Sequence, residues 1–269
     1  MTETTSSHWY TMDGEPMHLI TKKDGTTRPT TLRDARKLNL LPSVTGILNV
    51  LGKPGLSRWR EQQMALAGHA LAKGGMDERQ WLAAVQEKAF KSVDEAASLG
   101  SLIHDALESA TAGEKVAPDL RTYVDPVLSW MADRDIKVRE REAAVVSKKH
   151  GYAGKADLFF TWGDGDGKGI LDYKTRRTTP ERKIAVYDGQ GMQLAAYAAA
   201  HYGEQALPDV LAANMIISTT EPGRIEVVKH EDLVAEFEAF ESACTLWRHM
   251  RAYDPRVCED EHQGPADND

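Results

Sequence analysis

The pattern of apolar and polar positions divides the chain into a mostly helical part and a part in which strands and helices alternate. Residues 43–135 are predicted to be mostly helical, beginning at the N-cap candidate Ser43 and interrupted at glycines. The first 40 residues are predicted to hold irregular structure and short strands. Helices are predicted at 56–73, 77–90, 92–113 and 120–133, the third of them from a capping-box pattern at Ser92 and Glu95.

After residue 135, short apolar runs are separated by turn residues. The glycine-rich turn at 163–167 predicts a hairpin between the second and third of these runs. The fold class is therefore α/β, with a central mixed sheet flanked by helices and a mostly helical N-terminal region. Strands are predicted at 142–147, 156–162, 169–175, 211–218 and 224–229, and helices at 184–202 and 231–251.

The chain has 269 residues, a length that suits one large domain with an ample core. We expect residues 1–257 to form a single domain, with a helical region at 43–135 and an α/β core at 136–257. The polar, acidic end at 258–269 is predicted to be disordered.

The composition bears on where the protein is located and on which cysteine-based sites it can form. No apolar run approaches the roughly 18 residues that a membrane span needs, so no membrane partner is expected. The N-terminus lacks a basic segment followed by an apolar stretch, which predicts a cytoplasmic protein without a signal peptide. The two cysteines, Cys244 and Cys258, cannot build a disulfide framework or a four-thiolate cluster.

The net charge of −8 is unevenly distributed along the chain. Residues 22–60 hold nine Lys/Arg against two Asp/Glu, and residues 148–183 hold nine against five. Such basic runs supply contacts to nucleic-acid phosphates, although a run of charge is also what any solvated face shows. The candidates for nucleic-acid contacts are Arg58, Trp59, Lys148, Lys149, Arg176 and Arg177.

Two acids and a lysine in the α/β part carry the candidate chemistry. Asp172 and Lys174 are two apart on a predicted strand, so their side chains share one face. Asp157 precedes Asp172 across the predicted hairpin, which allows the two carboxylates to approach each other. Close carboxylates repel unless a cation lies between them, and Mg²⁺ prefers oxygen ligands. A surface salt bridge and a structural hairpin aspartate remain the alternatives.

Further candidates lie before and after this group. Glu142 is preferred over Glu140 because the apolar run of the first strand follows it directly. His104 lies on a predicted helix whose apolar residues suggest packing on the core; a lone helical histidine is more often structural, but a neutral imidazole can bind a metal. Gln193 and Tyr197 are four apart on a helix and share one face. Their alternatives are a polar helix face or a helix–sheet contact.

Taken in order, His104, Glu142, the GYAGKAD segment with Asp157, ILDYKT with Asp172 and Lys174, and QLAAY with Gln193 and Tyr197 resemble the PD-(D/E)XK nuclease superfamily. Within it they are most similar to the RecB-type exonuclease branch, which includes phage and mitochondrial genome-maintenance exonucleases. The motif block covers about residues 99–200. Some members hold an iron–sulfur cluster on four cysteines, and two cysteines exclude that form.

The resemblance implies a restriction-endonuclease-like core and a role for each residue. Asp157, Asp172, the Tyr173 carbonyl and His104 would bind Mg²⁺ or Mn²⁺, and Glu142 would support the metal or its water. Lys174 would orient the attacking water, and Gln193 and Tyr197 would hold the DNA strand, by a phosphate contact or by stacking on a base.

The expected function is metal-dependent exonuclease cleavage of DNA in recombination, repair or replication. The expected partners are DNA with a free end and a single-strand-binding or recombination protein. The basic run at 22–60, with Trp59, would form an arch for single-stranded DNA. The competing hypotheses are an endonuclease and a non-cutting nucleic-acid-binding module of the same fold. A calcium loop at Asp164–Gly167 is set aside because it lacks the downstream bidentate glutamate.

Overall fold

The computed structural model describes residues 8–181, 183–184 and 186–256, without the side chains of residues 92–96. The predicted disordered tail at 258–269 and the first seven residues lie outside this description. None of the helices in the described ranges is both long enough and apolar enough to cross a bilayer.

The N-terminal segment is more regular than predicted. Its short strands β1 to β3 confirm the sequence prediction, but helix α1, Leu32–Leu38, was not predicted. Thr31 and Asp34 form a capping box at its start, and Asn39 ends it in the left-handed conformation. The strands are β1 at Trp9–Tyr10, β2 at Leu19–Thr21, β3 at Thr27–Pro29 and β4 at Leu41–Pro42.

The helical region follows, and it differs from the prediction in one respect. Helices are α2 at Val44–Leu48, α3 at Pro54–His69, α4 at Glu78–Thr111 and α5 at Arg121–Ala132. Ser43 caps α2 as expected. The predicted helices 77–90 and 92–113 are one continuous helix, α4, that begins at the capping box of Asp77 and Gln80. The capping-box pattern at Ser92 was therefore wrong as a helix start: no helix-breaking Gly or Pro precedes it.

A five-stranded mixed sheet forms the centre of the molecule. Its strands are β5 at Lys137–Ser147, β6 at Tyr152–Thr161, β7 at Lys168–Arg176, β8 at Val210–Ser218 and β9 at Ile225–His230. They lie side by side in sequence order, and only β7 and β8 are parallel. Helix α6, Gln190–Tyr202, makes the crossover between that parallel pair. The predicted α/β class with a mixed sheet is confirmed.

Helices cover both faces of this sheet. On one face α6 and α7, Leu233–Arg251, pack against alternate strand residues such as Phe159 and Ile170. On the other face α4 and α5 pack through Ile103 and Leu107 against Leu158 and Leu171.

Candidate metal centre and active site

Four polar residues occupy one row across four neighbouring strands. Ala143 pairs with Ala156 on the two antiparallel strands β5 and β6, so the same register places Glu142 opposite Asp157. Leu158 pairs with Leu171, so Asp157 lies beside Asp172. Asp172 in turn pairs with Asn214 on β8. The strands therefore gather residues that are 72 positions apart in sequence into one line across the sheet.

The backbone is unusual at this row. Glu142 has φ of 45°, a left-handed conformation that a non-glycine residue rarely adopts inside a strand. Such conformations cost about 1–3 kcal/mol and occur mostly at functional sites. The kink changes the direction of the Glu142 side chain relative to a regular strand residue.

His104 of α4 completes a cluster with two of these acids. One ligand atom from each of His104, Glu142 and Asp157 lies within 4.8 Å of the other two, and all three residues are partly buried. The distance from His104 Nδ1 to Asp157 Oδ2 is 3.7 Å. Two carboxylates and one imidazole form a donor set that suits a divalent metal ion.

Asp157 is the electrostatic centre of the site. Its Oδ2 accepts a hydrogen bond of 2.7 Å from the backbone N–H of Tyr173. Burial and, after it, the nearby Asp172 carboxylate raise the pKa of the Asp157 carboxyl to about 7, although Lys174 and the Tyr173 N–H act to lower it. A raised pKa shows that negative charge is poorly balanced here, which favours binding of a cation.

The surroundings keep His104 in the neutral form that binds metals. Burial and the nearby Lys174 ammonium lower the pKa of His104, against opposing contributions from Asp172, Glu142 and a backbone hydrogen bond with Tyr173. A hydrogen bond that raises a histidine pKa must be donated by the ring, so its acceptor is the Tyr173 carbonyl. That carbonyl thus lies beside His104, and its predicted role as a metal ligand stays a prediction.

Asp172 is buried and accepts hydrogen bonds from two side chains. It lies 3% exposed, with Lys174 Nζ 2.5 Å from its carboxylate and Asn214 Nδ2 donating to its Oδ2 at 2.6 Å. In the described part of the chain, the three-residue cluster consists of His104, Glu142 and Asp157, and Asp172 lies beside Asp157 on the neighbouring strand. A metal shared by Asp157 and Asp172 stays a prediction.

Glu142, rather than Glu140, is the glutamate of the site. Glu142 forms an ion pair with Lys155, the lysine of the GYAGKAD segment. Glu140 instead approaches His201 at 3.6 Å, with half of its side chain exposed. The preference for Glu142 therefore agrees with the structure, whereas the partnership with Lys155 was not expected.

Gln193 and Tyr197 lie on α6 and contact each other, with Gln193 Nε2 donating to the Tyr197 hydroxyl at 3.2 Å. The Tyr197 ring is buried and packs against Gly154, where a Cβ atom would lie 2.5 Å from Tyr197 Cε1. The predicted stacking of Tyr197 on a nucleobase is therefore wrong, because its ring is buried against the sheet. Tyr197 therefore makes the helix–sheet packing contact that was the alternative to DNA contact. Gln193 is partly exposed.

A cleft adjoins this site where β7 ends. It has a volume of about 390 Å³ and is lined by Lys174, Thr175, Arg176, Arg177, Tyr187 and Gln190. The candidates Arg176 and Arg177 thus line the same cleft as Lys174, and their contact with a phosphate backbone stays a prediction.

The remaining basic candidates lie elsewhere. Lys149 is paired with Glu204 at 2.7 Å, and Lys148 lies 3.7 Å from Asp13. Exposed Arg58 and partly buried Trp59 lie on α3, which packs against the N-terminal half of α4. Their contacts with DNA stay a prediction.

Sequence reasoning did not identify Asn214, His230, Lys155, Tyr187 or Gln190. Asn214 could have been found, because it is the one polar residue before Ser218 in the apolar strand VLAANMIIS. His230 Nε2 lies 2.8 Å from Asn214 Oδ1, a contact that depends on the β8–β9 pairing and leaves no signal in the sequence.

Comparisons with known proteins identify no relative by sequence. No protein family and no curated protein matches the chain. Among solved structures, the chain is similar to the crystal structure of SSO0001, at 18% identity over 60% of this chain and 68% of that chain, with a TM-score of 0.29. A TM-score this low carries no argument about fold or activity.

Proposed function

We propose that this protein is a Mg²⁺- or Mn²⁺-dependent DNA exonuclease with a restriction-endonuclease-like core. The observation that carries the proposal is the row of Glu142, Asp157 and Asp172 across three adjacent strands, with His104 above it and Lys174 beside it. The motif resemblance supports the same activity from the sequence.

The residues present fit a hard divalent cation. His104, Glu142 and Asp157 would hold it, with the Tyr173 carbonyl and Asp172 beside them. When bound, such an ion polarises a phosphodiester and lowers the pKa of a coordinated water. The raised pKa of Asp157 in the absence of a balancing cation supports this assignment.

Lys174 supplies the positive charge next to the acids. Its ammonium is held by Asp172, and its side chain also lines the cleft at the end of β7. From that position it would orient the attacking water and stabilise negative charge on the phosphate. Asn214 and Asp172 would fix its direction.

The substrate would be linear DNA, and the enzyme would degrade it starting from a free end. The cleft next to Lys174 carries Arg176 and Arg177, which suit phosphate oxygens. The proposal of an exonuclease over an endonuclease rests on the Gln193–Tyr197 element of the resemblance. In-line attack would leave a 5′-phosphate on the product.

The test is cleavage of end-labelled DNA by the purified chain and two variants. Linear single strands, linear duplexes and a closed circle are incubated with Mg²⁺, with Mn²⁺ and with EDTA. The chain is expected to degrade the linear substrates only with metal. Asp157→Asn and Lys174→Met are expected to lower the rate by at least about 100-fold.

Matched controls keep the result specific. Asp164→Asn and Lys168→Met make the same chemical changes at exposed residues and should leave the rate unchanged. Cleavage of the closed circle would contradict the exonuclease hypothesis and support the endonuclease hypothesis, because a circle has no free end. Binding without any product would favour the non-cutting module, and undiminished cleavage by Asp157→Asn would refute the site.

A further inference from the structure

The cleft at the end of β7 contains an aromatic residue that the proposed chemistry does not use. Tyr187 is 69% exposed, the most exposed large hydrophobic residue of the described chain. It lines the 390 Å³ cleft together with Lys174 and Thr175 at the end of β7. This volume falls within the range of about 300–1,000 Å³ typical of small-ligand sites.

Tyr187 is held in place rather than projecting alone. The Arg176 guanidinium lies over its ring, with Cζ 3.8 Å from the ring centroid. Gln190 Oε1 accepts a hydrogen bond from each member of this pair, at 2.9 Å from the Tyr187 backbone N and at 3.3 Å from Arg176 Nη2. Gln190 is itself 8% exposed, so a buried amide fixes the stacked pair.

The charge and spacing of the cleft identify the chemistry of its ligand. Arg176 and Arg177 add positive charge beside the exposed aromatic face. Lys174 and Arg176 are two residues apart on a strand, about 6.6 Å, a spacing similar to that of neighbouring phosphates in an extended nucleic-acid strand. A positive groove that follows a backbone and an aromatic surface that stacks on bases are the two features of single-strand binding sites.

We infer that the Tyr187–Arg176 pair is a stacking platform for one unpaired nucleobase, adjacent to the phosphate that Lys174 contacts. This inference rests on the proposed function and specifies its substrate. A base inside a duplex has both faces covered by its neighbours and cannot stack on Tyr187, whereas an unpaired base in a flexible strand can turn one face toward the ring. The cleft therefore selects a single strand, or a frayed or overhanging end, without reading its sequence.

The test measures binding without cleavage, so that its outcome is separate from that of the nuclease assay. A fluorescein-labelled single-stranded oligonucleotide is titrated with the protein in EDTA, and one abasic nucleotide is moved along the strand. At one position the abasic strand is expected to bind roughly 5- to 150-fold more weakly than the intact strand, the usual effect of one lost base stack.

Variants then connect that position to Tyr187. Tyr187→Ala should weaken binding of the intact strand by the same factor and remove the sensitivity to the abasic nucleotide. Tyr187→Phe keeps the ring and should behave as the unmodified protein, as should Leu66→Ala, which removes another exposed apolar side chain. Binding of a blunt duplex should be equal for all four proteins.

Two results would overturn the platform. One is equal affinity for every abasic strand and the intact strand. The other is a loss of affinity in Tyr187→Ala that is the same for the abasic strand and for the blunt duplex. If the platform fails in this way while Asp157→Asn still abolishes cleavage, the proposed nuclease function stands; if the platform is confirmed but no metal supports cleavage, the nuclease function falls.

Discussion

Asn214 donates a hydrogen bond from Nδ2 to Oδ2 of Asp172 at 2.6 Å, and this contact joins the resemblance motif to a residue outside it. Asn214 is completely buried, and its Oδ1 lies 2.8 Å from His230 Nε2. Asp172 is therefore held from two sides, by Asn214 on β8 and by Lys174 on its own strand. A buried carboxylate needs such partners, because each unsatisfied polar group costs free energy.

Replacing Asn214 should therefore reduce both stability and activity. Asn214→Leu keeps a similar volume but leaves Asp172 with one donor fewer, which should lower the free energy of unfolding by about 1–3 kcal/mol. Urea unfolding measures this change. Asn49→Leu, at an exposed asparagine, serves as the control and should change stability by less than about 0.5 kcal/mol. Equal effects at the two positions would show that the Asp172 contact does not contribute.

Gly154 should tolerate no side chain, because Tyr197 occupies the space beside it. An alanine Cβ there would lie 2.5 Å from Tyr197 Cε1 and 3.3 Å from its hydroxyl oxygen. Gly154→Ala is expected to lower the free energy of unfolding by about 1–3 kcal/mol through overpacking. Gly55→Ala on α3 is the control, since a Cβ there meets no atom within 4 Å and alanine favours a helix.

A double-mutant cycle identifies the cause of the Gly154 effect. In a background of Tyr197→Ala, the space is open, and Gly154→Ala should then cost much less than in the unmodified protein. If the cost is the same in both backgrounds, the approach of Tyr197 is not its cause.

Lys155 should act as an internal competitor of the metal. It forms an ion pair with Glu142, one of the three residues of the cluster, and a hydrogen bond with Glu142 raises the pKa of Lys155. Lys155→Met removes a positive charge from the site, so Mn²⁺ should bind several-fold more tightly. Isothermal titration calorimetry without DNA measures the affinity. Lys149→Met, which breaks the distant pair with Glu204, should leave it unchanged; weaker binding by Lys155→Met would contradict the competition.

Much of the fold followed from sequence because its signals are local. The glycine-rich turn 163–167 between two short apolar runs was enough to predict the β6–β7 hairpin, and Ser43 marked the start of α2. The long helix α4 was divided in two by a capping pattern at residue 92. A capping box stabilises the start of a helix only where the residues before it are not helical. None of the residues just before Ser92 interrupts the helix, so the pattern there does not mark a start.

The site was predicted less completely, because its geometry depends on the register of distant strands. Asp157 and Asp172 are marked by their motifs, but the place of Glu142 in the cluster depends on the register between β5 and β6. The left-handed conformation of Glu142 has no sequence signal, since glutamate is not a residue that favours it. Pairing between β7 and β8, separated by a whole helix, brings Asn214 beside Asp172.

The raised pKa of Asp157 predicts how stability should change with pH in the absence of metal. Its carboxyl has a pKa near 3.8 in the unfolded chain and about 7 in the folded protein, so the folded state holds the proton more tightly. The resulting stability is fully present below about pH 4 and is lost as the pH rises to about 7. Asp157→Asn carries no such charge, and its free energy of unfolding in EDTA should exceed that of the unmodified protein by an amount that grows between pH 4.5 and pH 7.5. Urea unfolding at several pH values checks this, with the exposed Asp164→Asn as the control that shows no such trend.

Addition of Mn²⁺ at pH 7.5 should stabilise the unmodified protein and Asp164→Asn but not Asp157→Asn, because only the first two retain the carboxylate that binds it. A difference between Asp157→Asn and the unmodified protein that stays constant with pH would show that the Asp157 carboxyl is already balanced without a cation.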